Sequence, residues 1–366
     1  MTLLREVFAY AQDPSPYSPE FRRQMVELVR AGQSPEDLAR EFEPTAQSIG
    51  TWVAQADRAI CGVGARLRVS SQATSRMRVE EANERSHVSV APFAAQRGAT
   101  MKVDQDQMLL APVSDAVRRA GDALASRFTL APRLPNRDAV RAAARANDSV
   151  SEAVLRPALA AARPQAQWAE DEGGEGPLPP GEWWVSDPAE GNINHVHGNR
   201  DWCVTATLVR DNEPVLTAIH LPLAGETYTA VRGGGARLNG AALRPSPKRD
   251  LKAAIVATCQ AVPGEDDATL RRIERSVGVM LREALLVRVL VPATLQLTQL
   301  AAGRIELFWQ HSTVRSGLLA GALLAREAGG AVSDVGGHPW TLRSRNFLAA
   351  APGLHAAAVK ALSPTA

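Results

Sequence analysis

Apolar residues recur along this chain with two different periods, and the changes between them divide it into three stretches. From 17 to 58 the spacing is helical. Ser18 reads as an N-cap ahead of Pro19 and Glu20, and Phe21, Met25, Leu28 and Val29 mark one helix face up to Ala31-Gly32. Ser34-Pro35-Glu36 opens a second helix through Leu38 and Phe42, and Thr45 caps a third through Ile49, Trp52 and Val53. From 59 to 107, Gly, Ser, Arg, Gln and Glu mix with no sustained period, which predicts a disordered linker. From 108 to 366 helical and strand patterns alternate. Helices are expected over 109–128 and 148–162. Trp183-Trp184-Val185 forms a strand leading to Asp187. Runs at 202–210, 214–221 and 226–232 read as a meander with period-2 alternation. Then follow a helix at 266–281, a strand at 285–291, a helix at 293–302, a strand at 304–309 and an Ala/Leu-rich helix at 317–327 ending at Gly329-Gly330. Strands at 331–335 and 347–351 and a terminal helix close the pattern. Helices and strands in this mixture imply an α/β (α+β) fold, a layered sandwich behind a small all-α segment.

Composition narrows the function. At 366 residues and 45% hydrophobic, the chain can bury a sizeable core without disulfides or a structural metal. A net charge of +2 offers no strong field toward nucleic acid or membrane. No run of 18 apolar residues exists, so no membrane partner is expected. Three scattered cysteines, Cys61, Cys203 and Cys259, form no disulfide framework, and the expected compartment is the cytoplasm.

Candidate chemistry lies in Trp184 to Gly198, W-V-S-D-P-A-E-G-N-I-N-H-V-H-G. Asp187 sits where a strand stops, held by Pro188, and Glu190-Gly191 begins the next turn, where free backbone N–H groups would face an anion. Hard oxygen ligands beside such a turn suit Mg²⁺ and a phosphate ester. Upstream stands Ala169-Glu170-Asp171-Glu172-Gly173-Gly174. Downstream stand R-G-G-G-A-R-L-N-G at 232–240 and E-A-G-G at 327–330. His195 and His197 read as structural rather than as a zinc pair.

In order and spacing, this set resembles the inositol monophosphatase family of Mg²⁺-dependent phosphatases over about 109–362. The family motif is W-x-x-D-P-(I/L)-D-G-T-x-N-(F/Y)-x-H-G, with an upstream E-E pair and a downstream W-D helix ending in E-A-G-G. The resemblance implies that Glu170 binds metal and activates water, paired with Asp171. It implies that Asp187 and the Ala189 carbonyl bind metal, and that Glu190 stands where the family has its second aspartate. Gly191 and Asn192 would contact substrate. Asn192 replaces the threonine whose hydroxyl orients the attacking water, and Asp148 fits the aspartate that partners that threonine. An asparagine cannot pass a proton as a hydroxyl can. Gly317 stands at the third metal aspartate, and Gln310 at the substrate-contacting glutamate. Compensation could come from Glu172, Asp201 or His311.

The expectation is therefore a phosphoric monoester hydrolase acting on a small phosphorylated metabolite, with Mg²⁺ affinity and turnover reduced. The alternative is a catalytically degenerate or repurposed ligand-binding member of the same fold. The resemblance also allows a homodimer, and Met101 or Met108 could start the phosphatase-like region.

Residues 17–58 resemble the helix-turn-helix of insertion-sequence transposases, through the Y-S-P-E-F-x-x-x-x-V-x-L-V pattern at Tyr17–Val29. That permits a third reading, a DNA-binding regulator, but the charge opposes it. Five basic residues face seven acidic ones between 17 and 58, and 45–56 carries no Arg or Lys. Segment 1–58 is thus expected to be a remnant of a mobile element, and DNA is not its expected partner. A gel shift at low salt with the 1–100 fragment is expected to show no salt-sensitive complex; such a complex would restore the DNA-binding reading.

Overall fold

The computed structural model describes residues 25–26, 28–30, 33–41, 45–46, 48–49, 52–53, 91–130, 134–170, 174, 176–259, 264–312 and 314–365. The chain forms two units, Met1–Val90 and Ala91–Ala366. In the first, helix α1 spans Pro35–Glu41. Its entry is capped by Ser34, whose hydroxyl accepts the Asp37 N–H at 3.1 Å. Met25, Leu38 and Ile49, one from each expected helix, are buried together. Thr45 accepts the Ser48 N–H at 3.2 Å, the cap its position suggests. Ser18, Gln47, Gly50 and Gln55 lie outside the described residues.

In the second unit the elements run α2 (Ala91–Ala125), α3 (Arg137–Ala162), β1 (Gln167–Trp168), β2 (Glu182–Glu190), α4 (Asn192–Val196), β3 (Cys203–Arg210), β4 (Glu213–Leu221), β5 (Glu226–Val231), β6 (Gly235–Leu238) and β7 (Ala241–Ala242). They continue with β8 (Ile255–Thr258), α5 (Asp267–Glu283), β9 (Leu286–Val289), α6 (Ala293–Ala301), β10 (Leu307–Gln310), α7 (Arg315–Ala328), β11 (Ala331–Ser333), β12 (Phe347–Ala350) and α8 (His355–Leu362). Strands β1 to β7 form one sheet in sequence order. A second sheet has the order β11-β12-β10-β8-β9. Helices α2 and α3 cover the first sheet, α6 and α7 lie between the sheets, and α5 and α8 cover the second. This is a five-layer αβαβα sandwich, a member of the layered α/β class that the alternating pattern implies.

Sequence and structure differ where tertiary packing overrides local pattern. Helix α2 starts at Ala91, so it runs through the end of the stretch, 59–107, expected to be an irregular linker. Helix α3 starts at Arg137, well before 148, because the Asn136 side chain caps it by accepting the Ala139 N–H at 2.9 Å. The meander does not alternate between core and solvent. Residues 203–209 of β3 and 214–221 of β4 are all buried, since helices cover both faces. The threonines of these strands are inside as well. Thr207 and Thr217 hydrogen-bond each other at 3.0 Å across the strands.

One close approach sets the middle layer. A Cβ on Gly321 of α7 would lie 2.3 Å from Leu297 Cδ1 of α6, so only glycine lets these helices touch at that point. Among the described residues no helix is long and apolar enough to cross a membrane.

A cluster of charges ties α2 and α3 to the first sheet. Arg210 grips Asp106 through two bonds at 2.8 and 3.0 Å. Glu182 accepts from Arg210 at 2.7 Å and from Arg163 at 2.7 and 3.0 Å. Burial raises the Glu182 pKa, but the Arg163 and Arg210 hydrogen bonds outweigh it and hold the carboxyl below its ordinary 4.5. Its contribution is therefore complete above the ordinary value and is lost as pH falls through the lowered one. Glu182→Gln is expected to destabilise the protein at neutral pH by about 1–3 kcal/mol and to melt with a shallower dependence on acid than the wild type. Thermal melts in buffers from neutral to acidic check both.

Candidate functional site

The site begins with a misfit in a strand. Asp187 pairs with Thr205 and Glu190 with Cys203, so β2 carries one residue more than β3 between these two pairs. A regular strand would send residues 187 and 190 to opposite faces. The extra residue, at Pro188-Ala189, turns both carboxylates to one side. Pro188 suits the place because it has no N–H to give the ladder. The bulge is held by the Asp187 N–H donating to Thr205 Oγ1 at 3.1 Å and the Ala189 N–H donating to Asp187 Oδ1 at 3.0 Å. Gly191 then ends the strand at φ 81°, where a Cβ would stand 2.7 Å from the Asp201 carbonyl oxygen.

Both carboxylates face a cavity of about 560 Å³, whose wall also includes Asp148, Asn192, Gln310 and Gly317. The starts of α4, α6 and α7 meet there, through Gly191-Asn192, Pro292-Ala293 and Ser316-Gly317. Acid oxygens and the positive ends of helices thus share one space, the combination that a cation and an anionic group require together. Burial first, and then the neighbouring Glu190 carboxylate, push the Asp187 pKa well above the ordinary carboxylate range. A Cβ on Gly317 would lie 3.7 and 3.8 Å from the two Glu190 carboxylate oxygens, in ordinary contact. The Glu190 carboxylate therefore stands beside the bare backbone of Gly317.

Behind the wall runs an amide network. Asn192 Nδ2 donates to Asp148 Oδ1 at 2.6 Å and to the Ala144 carbonyl at 2.9 Å, and its Oδ1 accepts from Asn147 Nδ2 at 2.9 Å. Asn147 Oδ1 accepts from Arg127 Nε at 3.0 Å. His195 Nε2 donates to the Leu124 carbonyl at 3.0 Å, which leaves Nδ1 to accept from Asn147 at 2.9 Å. His195 also packs edge-on against Trp202, so its role is structural. Burial raises the Asp148 pKa, against the Asn192 hydrogen bond.

Not every expected residue arrives. Glu170 is exposed, forms an ion pair with Arg156 of α3 and is absent from the cavity wall. Arg156 also binds Glu152 at 3.2 Å and lies over the Trp168 ring, so the glutamate is held on the α3 side. Asp171 and Glu172 lie outside the described residues. Of the suggested compensating groups, Asp201 is exposed. His311 is buried away from the wall, its pKa pushed to about 4 by burial and by Arg272. Gln310 does reach the wall, but its amide is engaged. Its Oε1 accepts from the Cys259 thiol at 2.9 Å and its Nε2 donates to the Ser312 carbonyl at 3.3 Å. Sequence reasoning missed Asn147 and Cys259. The first stands beside Asp148 in a helix that looked too short, and the second carried no motif.

Asp187 and Glu190 bring two hard-oxygen side chains to one cavity wall, the donor type that Mg²⁺ takes. Among the described residues no group of three His, Cys, Asp or Glu gathers to hold a metal ion.

Comparison with known proteins gives the site its context. The model of the inositol monophosphatase family matches residues 104–365. Inositol-1-monophosphatase of Rhizobium meliloti (strain 1021) is 33% identical over 195 residues, 52% of this chain and 73% of that protein. Nus factor SuhB of Escherichia coli (strain K12) is 32% identical over 246 residues, 65% of this chain and 89% of that protein. The crystal structure of extragenic suppressor protein suhB from Bartonella henselae superposes with a TM-score of 0.57 at 25% identity, covering 72% of this chain and 99% of that one.

Gly191→Ala is expected to cost about 2 kcal/mol, from the left-handed backbone and the contact with Asp201. That should lower the melting temperature by roughly 4–8 °C. An unchanged melt would show that the turn relaxes freely.

Proposed function

The chain belongs to the inositol monophosphatase family, a Mg²⁺-dependent family, and from that premise we propose that it is a phosphomonoesterase with a thinned catalytic site. The substrate class is a small phosphate monoester, hydrolysed by water to an alcohol and inorganic phosphate. The observation that carries this reading is the bulge-driven pairing of Asp187 and Glu190 over a cavity on which three helix starts converge. Asp187, Glu190 and the Ala189 carbonyl would hold Mg²⁺. When bound, the ion polarises the phosphoryl group and lowers the pKa of water. The starts of α6 and α7 favour the phosphate charge. Asp148 has one oxygen fastened by Asn192 and another to take a proton from water, and burial makes it a stronger base than an ordinary aspartate.

Turnover is expected to be low for two reasons. Glu170 is engaged with Arg156, and the Asn192 amide is satisfied by Asn147, Asp148 and Ala144, so it has no proton to pass. Positioned acid–base groups typically contribute about 10²–10⁴-fold. The same two observations favour a second reading, a family member that binds phosphate esters without hydrolysing them.

Purified full-length protein is expected to release phosphate from a panel of small phosphomonoesters in a Mg²⁺-dependent reaction that chelation stops. Ester binding without any release supports the second reading. Gly317→Asp is expected to tighten Mg²⁺ binding on the order of tenfold or more, because it adds a carboxylate where Glu190 already points. It should also lower the melting temperature of the metal-free protein through the added like charge. Calorimetric Mg²⁺ titration and a thermal melt read the two effects. An unchanged titration argues that Glu190 alone has rebuilt the site.

A further inference from the structure

The cavity has two chemically distinct sets of wall residues. One holds the charge: Asp148, Asp187 and Glu190, with Ser316 beside the Gly317 that faces Glu190. The other consists of Ile193, Cys259, Val291, Pro292, Ala293 and Val314. Among the described residues, the remaining polar side chains of the wall are Asn192 and Gln310, and their amides are bound within the protein. The Cys259 thiol donates to Gln310, and burial first, then Glu190, keeps it from ionising. The apolar set is also preformed. The Asn194 side chain donates to the Val291 carbonyl at 2.9 Å, and Pro292 stands against Gly191. Ile193 is 50% exposed at the start of α4, an apolar side chain that its own fold leaves uncovered.

Resting on the phosphate-ester reading of this cavity, we infer that the organic part of its ligand is apolar, an aryl or alkyl phosphate rather than a polyol phosphate. A polyol lying against the apolar part of the wall gives up water from each hydroxyl and finds there no polar side chain beyond amides already satisfied, so the loss at that part goes uncompensated. A phenyl or hexyl group gives up only unfavourable hydration and covers Ile193, Val291 and Val314. The phosphate end is common to both classes and does not discriminate, so the preference comes from the apolar wall.

The test measures binding to the full-length protein with Mg²⁺ present, by calorimetric titration of inorganic phosphate, phenyl phosphate, glycerol 2-phosphate and inositol 1-phosphate. Phenyl phosphate is expected to bind about tenfold tighter than either polyol ester. Ile193→Ser, at a half-exposed position that the core does not need, should narrow that ratio severalfold. Equal or tighter binding of the polyol esters, with inorganic phosphate still bound, overturns the apolar preference and leaves the phosphate site standing. If neither inorganic phosphate nor any ester binds, the phosphate-ester reading itself falls and the preference falls with it.

Discussion

Everything chemical about this protein depends on one extra residue in strand β2. Without the bulge at Pro188-Ala189, Asp187 and Glu190 would lie on opposite faces of a sheet covered on both sides. One of two carboxylates would then be buried in an apolar layer, at a cost that a lone charge cannot meet. With the bulge, both face the same cavity, and their mutual repulsion becomes a demand for positive charge. The chain answers part of that demand with helix starts, and in the proposed reading a bound cation would answer the rest. Gly191 completes the device, since the strand must turn into α4 within contact distance of Asp201.

Around that pair, the side chains that the resemblance assigns to catalysis and substrate contact are engaged within the protein. Where a hydroxyl would be mobile and able to relay a proton, Asn192 has a planar amide fixed on both ends. Where a glutamate would be free to approach the cavity, Arg156 has captured it. Where a charged side chain would meet a polar substrate, Gln310 is tied to Cys259 and Ser312. Each of these three side chains is satisfied within the protein, which is the basis for the low turnover expected in the proposed reading. Glu190 stands beside the bare backbone of Gly317.

The layered fold was legible in the alternation of periods, and the site's address was legible in the D-P-x-E-G stretch and the E-A-G-G ending. What the sequence could not show were interactions between distant elements. Glu170 looked like a metal ligand by position, and its partner Arg156 sits on helix α3 with no local signal of the pairing. The period-2 alternation read for β3 and β4 does not appear in their burial, because nothing in a strand announces that a second layer of helices covers it. Helix α3 was read as short because Asn136 was not recognised as its cap, and that concealed Asn147, the residue on which the amide network turns.

The contact between Gly321 and Leu297 has a consequence for how the cavity can change. Helices α6 and α7 are pressed together there, and both begin at the cavity wall. Two of its three helix starts are therefore set against each other by a residue that has no side chain. A side chain added at 321 would press α6 and α7 apart and so be felt at the cavity wall, from a position that no motif marks.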